Sequence, residues 1–186
     1  MKSITPPEVS TTVQAFCESI VRGAKPIFLE VEDDGSGELL DCYGNVEKKI
    51  KKDGGKVQYG WQVILCEPVF IEAQFHAVWV DPAGAMHDVT PTGIEDMSRI
   101  LFLPDFEKNY EGKQIDNVQQ ALTEDPLITS FINANRKYFE ATNQGRLAEM
   151  NGEITVDQVS PSQLADIRLW NYEGRRLSEL LSRKYL

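Results

Sequence analysis

The sequence has few of the residues from which disulfide-stapled domains and metal sites are built. It contains three cysteines, Cys17, Cys42 and Cys66, which is an odd number without a C-x-x-C pair, and only two histidines. A disulfide framework needs paired cysteines, and a zinc site needs cysteine or histidine ligands at short, familiar intervals. We therefore expect neither a disulfide framework nor a metal site, and no cofactor is implied.

Long apolar runs and an excess of positive charge are also lacking. The chain has no run of about 18 apolar residues, and its beginning, MKSITPPEVSTTVQAF, holds no apolar signal-peptide segment. The net charge of −10 and the pI of about 4.7 work against contact with a phosphate backbone. We expect a cytoplasmic protein that has neither nucleic acid nor a membrane as its partner.

The spacing of apolar residues predicts an α+β first part and a helical second part. Helices are predicted over 12–24, from Cys42 through the lysine-rich stretch, and over 115–122, 126–150 and 160–186; strands are predicted at 27–32, 57–66, 69–80 and 85–90. The predicted domains are an α+β core at 1–110 and a helical C-terminal extension at 111–186, packed together as one structural unit.

The segment DPAG, residues 81–84, has the residue choices of a type I turn, so the strands on either side should form a hairpin. A plain turn pairs Val80 with Ala85 and puts Asp88 on the face opposite His76. A bulge at the glycine shifts the pairing by one residue and brings Asp88 diagonal to His76 on one face. The sequence leaves both registers open.

Cys42 follows Asp41 at the predicted start of a helix. The free N–H groups and the positive end of the helix dipole at such a position favour thiolate over thiol. A thiol nucleophile also needs an imidazole within hydrogen-bond reach, and both histidines, His76 and His87, lie in the predicted hairpin. Alternation along the strand favours His76 as the base and sends His87 to the other side.

The segment Asp41-Cys42-Tyr43-Gly44-Asn45-Val46 resembles the D-C-x-G-x-V nucleophile segment of the NlpC/P60 branch of papain-like thiol hydrolases. The stretch from His76 to Val80 is similar to the H-x-G-[IV]-Y strand of that family, and Asp88 falls about where the family has its third polar residue. The order Cys, His, Asp is also similar to that of transglutaminase-like enzymes. The resemblance covers residues 41 to 90 and implies a papain-like core, in which a nucleophile helix packs on a small antiparallel sheet.

Four more residues are candidates for binding substrate: Tyr43, Trp61, Gln74 and Trp79. For the two tryptophans a role in the core is the more common one.

Asp88 has two predicted roles, because its carboxylate could cap the turn before Val89-Thr90-Pro91 as readily as it could orient a histidine.

These residues together predict cysteine-dependent chemistry on an amide or ester bond. Cys42 would attack the carbonyl, His76 would move the proton, and Asp88 would orient the imidazole. The expected partner is an amide- or ester-bearing substrate such as a peptide or protein. The alternatives are a non-enzymatic binding protein on the same scaffold and a transglutaminase-like amine acyltransferase.

Overall fold

The computed structural model describes residues 2–32, 35, 37–92, 98–149 and 159–185. Its elements are α1 (Thr11–Ile20), β1 (Ile27–Glu30), α2 (Cys42–Asp53), β2 (Lys56–Cys66), β3 (Phe70–Val80), β4 (Met86–His87), β5 (Arg99–Pro104), β6 (Val118–Ala121), α3 (Pro126–Thr142), a short 3-10 helix (Gly145–Glu149) and α4 (Pro161–Tyr185). The chain is thus an α+β protein with an antiparallel sheet followed by helices, as the sequence predicts.

The sheet has the strand order β1-β5-β2-β3-β4, and β6 pairs with β3. Strand β5 lies between β1 and β2 and is antiparallel to both, with Phe102 opposite Ile27 on one side and Gln62 on the other. Four successive β5 residues, from Ile100 to Leu103, are fully buried. A strand that is covered on both faces consists of consecutive apolar residues, and this explains the composition of β5.

The hairpin of β3 and β4 has the bulged register. Trp79 pairs with His87, Val80 pairs with Met86, and the Asp81 N–H donates to the Ala85 carbonyl over 2.9 Å. Gly84 has a φ of 93°, the left-handed conformation that a bulge after a type I turn requires and that glycine adopts without a steric penalty. The plain register is therefore excluded.

Strand β4 is shorter than the predicted strand 85–90. Beyond His87 the chain leaves β3, and the Asp88 carbonyl accepts from the Glu32 N–H over 2.7 Å instead. The Asp88 carboxylate accepts from the Thr90 N–H at 3.1 Å, which turns the backbone out of the ladder. The polar residues of DVTP thus end the strand.

One prediction beyond residue 91 was wrong, and one strand was not predicted. Residues 115–122, predicted as a helix, contain strand β6, because pairing with β3 outweighs a weak three-and-four spacing. Strand β5 has no counterpart among the predicted strands. Its short apolar run RILFLP cannot be distinguished from a buried helix by periodicity alone.

The last helix begins as predicted, with Ser160 as its cap and Pro161 as its first residue. The Ser160 hydroxyl accepts from the Gln163 N–H over 3.2 Å, and proline at this position has no N–H to leave unpaired. The predicted helix 126–150 is helical over Pro126–Thr142 and then becomes the short 3-10 helix. The sequence therefore predicts both helices correctly except for the end of α3, which comes earlier than predicted.

The described chain divides into two compact units. One draws on residues 1–2, 66–71 and 110–186, and the other on 3–65 and 72–109. The first unit contains a cluster of Cys66, Val69, Ile128 and Leu181, and the second contains the residues of the predicted site. The predicted boundary between residues 110 and 111 stays a prediction; in the structure, 66–71 belong with the C-terminal segment.

Asp125 joins two helices within the first unit. It caps α3 by accepting from the Leu127 N–H, and it accepts from the Lys184 ammonium over 2.6 Å and the Tyr185 hydroxyl over 2.7 Å near the end of α4. The hydrogen bond from Lys184, helped by those from Tyr185 and the Leu127 N–H, lowers the pKa of Asp125 to about 2. These hydrogen bonds connect the start of α3 to the end of α4.

Of the helices in the described ranges, none is both long and apolar enough to cross a membrane.

Candidate active site

Helix α2 places Cys42 at its first turn. The carboxylate of Asp41 accepts from the Gly44 N–H over 3.1 Å and so caps the helix. A Cβ at position 44 would overlap that carboxylate, so glycine is needed there. Cys42 is the first residue of this capped helix, so it lies at the positive end of the helix dipole.

The chain entering α2 is held by Asn45, which is buried. Its side-chain oxygen accepts from the Glu38 N–H over 2.8 Å, and its amide nitrogen donates to the Glu38 carbonyl over 2.7 Å. Between these fixed points Leu40 adopts a φ of 62°, which is uncommon for a residue other than glycine, and its side chain is exposed. The backbone before Cys42 is thus held in a strained turn.

Cys42, His76 and Asp88 meet beside β3. The Nε2 atom of His76 lies 3.1 Å from Oδ1 of Asp88, and the Cys42 thiol lies near enough to the same imidazole to raise its pKa. The three residues are 8%, 7% and 1% exposed. The three candidate catalytic residues therefore form one connected, largely buried set, in the order thiol, imidazole, carboxylate.

The imidazole of His76 is held in its protonated form. Burial by itself lowers the pKa of His76, but the hydrogen bonds and charges of Asp88 and Cys42 outweigh burial and raise that pKa from 6.5 to about 10. An opposite charge within hydrogen-bond distance favours the charged form of a titrating group. At neutral pH the site thus contains an imidazolium between a carboxylate and a sulfur atom.

His87 lies apart from the thiol. Its Nδ1 is 2.6 Å from Oε1 of Glu32, its Nε2 is 3.3 Å from Oδ2 of Asp81, and its ring packs near Trp79. The bulged register separates the two histidines in this way, because neighbouring residues of a hairpin point to opposite faces. The register and the alternation along the strand together decide which histidine faces the thiol.

A cavity of about 360 Å³ opens onto Cys42 and His76. Cys42 and His76 line it, together with the amides of Gln62 and Gln74 and the hydroxyl-bearing residues Ser3, Thr90 and Thr92; the remaining lining residues are Leu40, Ile64, Phe75 and Pro91. Apart from His76, the lining side chains carry no charge. A neutral polar group such as an amide or an ester fits this lining better than an ion does.

Of the four predicted substrate-binding residues, Gln74 lines this cavity. Trp61 is 2% exposed and donates its indole N–H to Asp105 over 3.1 Å, so it is a core residue. Trp79 is also buried and donates to the Gly54 carbonyl over 2.9 Å. Tyr43 packs against the cluster that contains Cys42 and Trp79, and it is outside the lining.

Gln62 and Thr90 are among the lining residues that the sequence analysis missed. Thr90 could have been found, because an aspartate commonly accepts from the N–H two residues ahead in a turn, as Asp88 does here. Gln62 could not, because its place depends on the pairing of β2 with β5. Among the residues that the structure describes, no group of three or more histidines, cysteines or carboxylates is arranged to hold a metal ion.

Comparisons of the chain with protein-family models, with curated proteins and with solved structures give no match.

Proposed function

We propose that the protein is a cysteine-dependent hydrolase or acyltransferase with a papain-like core, acting on an amide or ester bond. The observation that carries this proposal is the connected set of Cys42, His76 and Asp88 at the wall of a neutral cavity. Each residue has the neighbour that its role requires: the thiol contacts a base, and the base contacts a carboxylate.

In the proposed reaction, His76 has taken the thiol proton and Cys42 attacks the carbonyl carbon as a thiolate. The imidazolium then gives its proton to the leaving amine or alcohol, and a thioester remains on Cys42. Asp88 keeps the imidazole in orientation and stabilises its positive charge. Water, assisted by His76, hydrolyses the thioester and restores the thiol.

Hydrolysis of 4-nitrophenyl acetate tests the proposal. The wild type should release 4-nitrophenolate with turnover; Cys42→Ala and His76→Gln should lose this activity, whereas His87→Gln should keep most of it. Cys42→Ala should also lose little stability, because the substitution removes only one sulfur atom from the buried cluster around Cys42. A loss of more than about 3 kcal/mol would identify Cys42 as a core residue. Equal losses in the two histidine variants would contradict the assigned base.

Alkylation by iodoacetamide at pH 6 supplies a test that needs no substrate. Cys42 should react faster than Cys17 and Cys66, as mapped by mass spectrometry of the labelled peptides. Cys17 is a good internal control because burial raises its pKa to about 11, so very little of it is thiolate at pH 6. Equal labelling of the three thiols would leave the non-enzymatic binding protein as the better hypothesis.

The acceptor of the acyl group separates hydrolysis from acyl transfer. With a labelled primary amine present, a transglutaminase-like enzyme transfers the acyl group to the amine, whereas a hydrolase releases the acid. The ratio of the two products, measured with the same ester, distinguishes these forms of the proposed activity.

A further inference from the structure

The side-chain amide of Gln74 is held in one orientation. Its Nε2 atom donates to Oε1 of Glu72 over 2.6 Å, and Glu72 is 8% exposed. A carboxylate accepts hydrogen bonds and does not donate them, so the nitrogen end of the amide is the end that faces Glu72. The oxygen atom of the amide, Oε1, is therefore directed away from Glu72.

That oxygen atom is an accessible acceptor without a donor. Within β3, Gln74 is partly accessible whereas every other residue is buried. No described residue donates to Oε1 of Gln74, and this oxygen is not one of the buried side-chain atoms that lack a partner. Gln74 lines the cavity onto which Cys42 and His76 open, and it lies two residues before His76 on the same face of the strand.

A second glutamine amide lies on the same face. Gln62 is directly opposite Phe102 in the pairing of β2 with β5, and paired residues point to one side of the sheet. The Phe102 ring centre is 6.4 Å from that of His76, which places Gln62 on the side of the sheet that carries the imidazole. The cavity wall beside His76 thus contains two carboxamides, whose donors and acceptors complement those of an amide substrate.

We propose that Oε1 of Gln74 accepts a hydrogen bond from the N–H of the scissile bond, so that the substrate of this site is an amide with an N–H group rather than an ester. This inference rests on the proposed function, because it names the substrate class of the same nucleophile. An ester has an oxygen atom in place of the N–H and would leave the Gln74 acceptor unpaired. A site that binds a donor of the substrate discriminates against an analogue that lacks the donor.

In the proposed step the Cys42 thiolate forms a bond to the carbonyl carbon, and the π electrons of the carbonyl move to its oxygen. The amide nitrogen becomes pyramidal and gains a lone pair. Gln74 holds the hydrogen of this nitrogen, which leaves the lone pair free to take the proton of the His76 imidazolium. The carbonyl then re-forms, the carbon–nitrogen bond breaks, the amine leaves as a neutral molecule, and the acyl group remains on Cys42 as a thioester.

Two substrates with the same acyl group test the inference. 4-Nitroacetanilide has the N–H, and 4-nitrophenyl acetate has an oxygen in its place. The ratio of kcat/KM for the anilide to kcat/KM for the ester, measured on one preparation, is independent of the fraction of folded protein. Gln74→Met removes the acceptor and keeps the length of the side chain, so it should lower this ratio by about 10-fold, as expected for one hydrogen bond.

A third substrate removes the donor instead of the acceptor. N-methyl-4-nitroacetanilide is an amide without an N–H. The wild type should cleave it at least about 10-fold more slowly than 4-nitroacetanilide, and Gln74→Met should lose most of this discrimination.

Two further variants separate the acceptor from its surroundings. Gln58→Met is the matched control, because the Gln58 amide donates to the carbonyls of Tyr59 and Asp105 over 2.7 and 3.1 Å, away from the cavity lining. It should lower the urea midpoint of unfolding and keep the anilide-to-ester ratio. Glu72→Gln tests the orientation of Gln74: an amide at position 72 can donate to Oε1 of Gln74 in competition with the substrate, so the ratio should fall.

Several results would overturn the inference. These are an unchanged anilide-to-ester ratio in Gln74→Met, an equal fall of the ratio in Gln58→Met, and equal wild-type rates for the two anilides. Hydrolysis of the ester by Cys42 without cleavage of 4-nitroacetanilide would do the same. In each of these cases ester hydrolysis that depends on Cys42 would still support the proposed function. If hydrolysis of neither substrate depends on Cys42, the proposed function fails as well.

Discussion

At the scale of single residues, Asp88 has two partners, one for each of its predicted roles. Its Oδ1 accepts from the Thr90 N–H, which is the contact of a turn cap, and lies 3.1 Å from Nε2 of His76, which is the contact of an orienting carboxylate. The two readings are therefore compatible, because one oxygen atom has two lone pairs. A substitution at Asp88 must be designed to separate them.

Asp88→Asn keeps an oxygen that can cap the turn, but it removes the negative charge beside His76. We expect turnover to fall by about 10- to 1,000-fold, which is less than in serine proteases because a preformed imidazolium needs the carboxylate less. The pH profile of Cys42 alkylation should change as well. Asp81→Asn is the matched control, since Asp81 contacts His87 instead. Coincident profiles together with lowered stability would leave Asp88 as a turn cap only.

At the scale of elements, the capped start of α2 determines where the nucleophile lies. Asp41 and Ser10 each cap a helix by accepting from the N–H three residues ahead, at Gly44 and Val13. Helix α2, which Asp41 caps, begins at the candidate site; helix α1, which Ser10 caps, does not. The two caps therefore provide a comparison between helix stability and function.

We expect Asp41→Ala and Ser10→Ala to lose similar stability, about 1 kcal/mol each, because each variant leaves a helix N–H uncapped. Asp41→Ala should in addition lower ester turnover, since fraying of the first turn displaces Cys42. Asp41→Asn should recover most of both losses, because asparagine caps helices as well as aspartate does. Urea unfolding and 4-nitrophenyl acetate kinetics measure the two effects. Similar turnover in Asp41→Ala and Ser10→Ala would show that the cap does not position the thiol.

At the scale of the whole molecule, the imidazolium of His76 links folding to pH. The pKa of His76 is raised from 6.5 to about 10 in the folded protein. The folded state therefore holds a proton that the unfolded state releases. Stability from this group is fully present below about pH 6.5 and is lost as the pH rises through about 10.

Comparison of the wild type with His76→Gln isolates this contribution from other groups that titrate in the same range. The difference in free energy of unfolding between the two should shrink as the pH rises from 7 to 10, by about 1.4 kcal/mol per pH unit at most. Urea unfolding at several pH values measures it. A difference that stays constant over this range would contradict a protonated His76 in the folded state.

The sequence by itself determined the local features of this protein. The cap at Asp41, the start of α2 at Cys42, the turn at DPAG and the start of α4 at Pro161 all follow from residues close together in the chain. Capping, turn chemistry and alternation act over a few residues, so a single sequence is enough to detect them. This is why the three candidate catalytic residues could be chosen before their distances were known.

Only the tertiary structure decided which residues lie opposite one another. The hairpin had two registers, and the bulge at Gly84 selected the one in which Asp88 reaches His76. Strands β5 and β6 exist because partner strands distant in sequence supply their hydrogen bonds, which no local pattern records. The cavity walls have the same origin: Gln62 and Thr90 lie 28 residues apart in the sequence, and folding places both in the lining of one cavity.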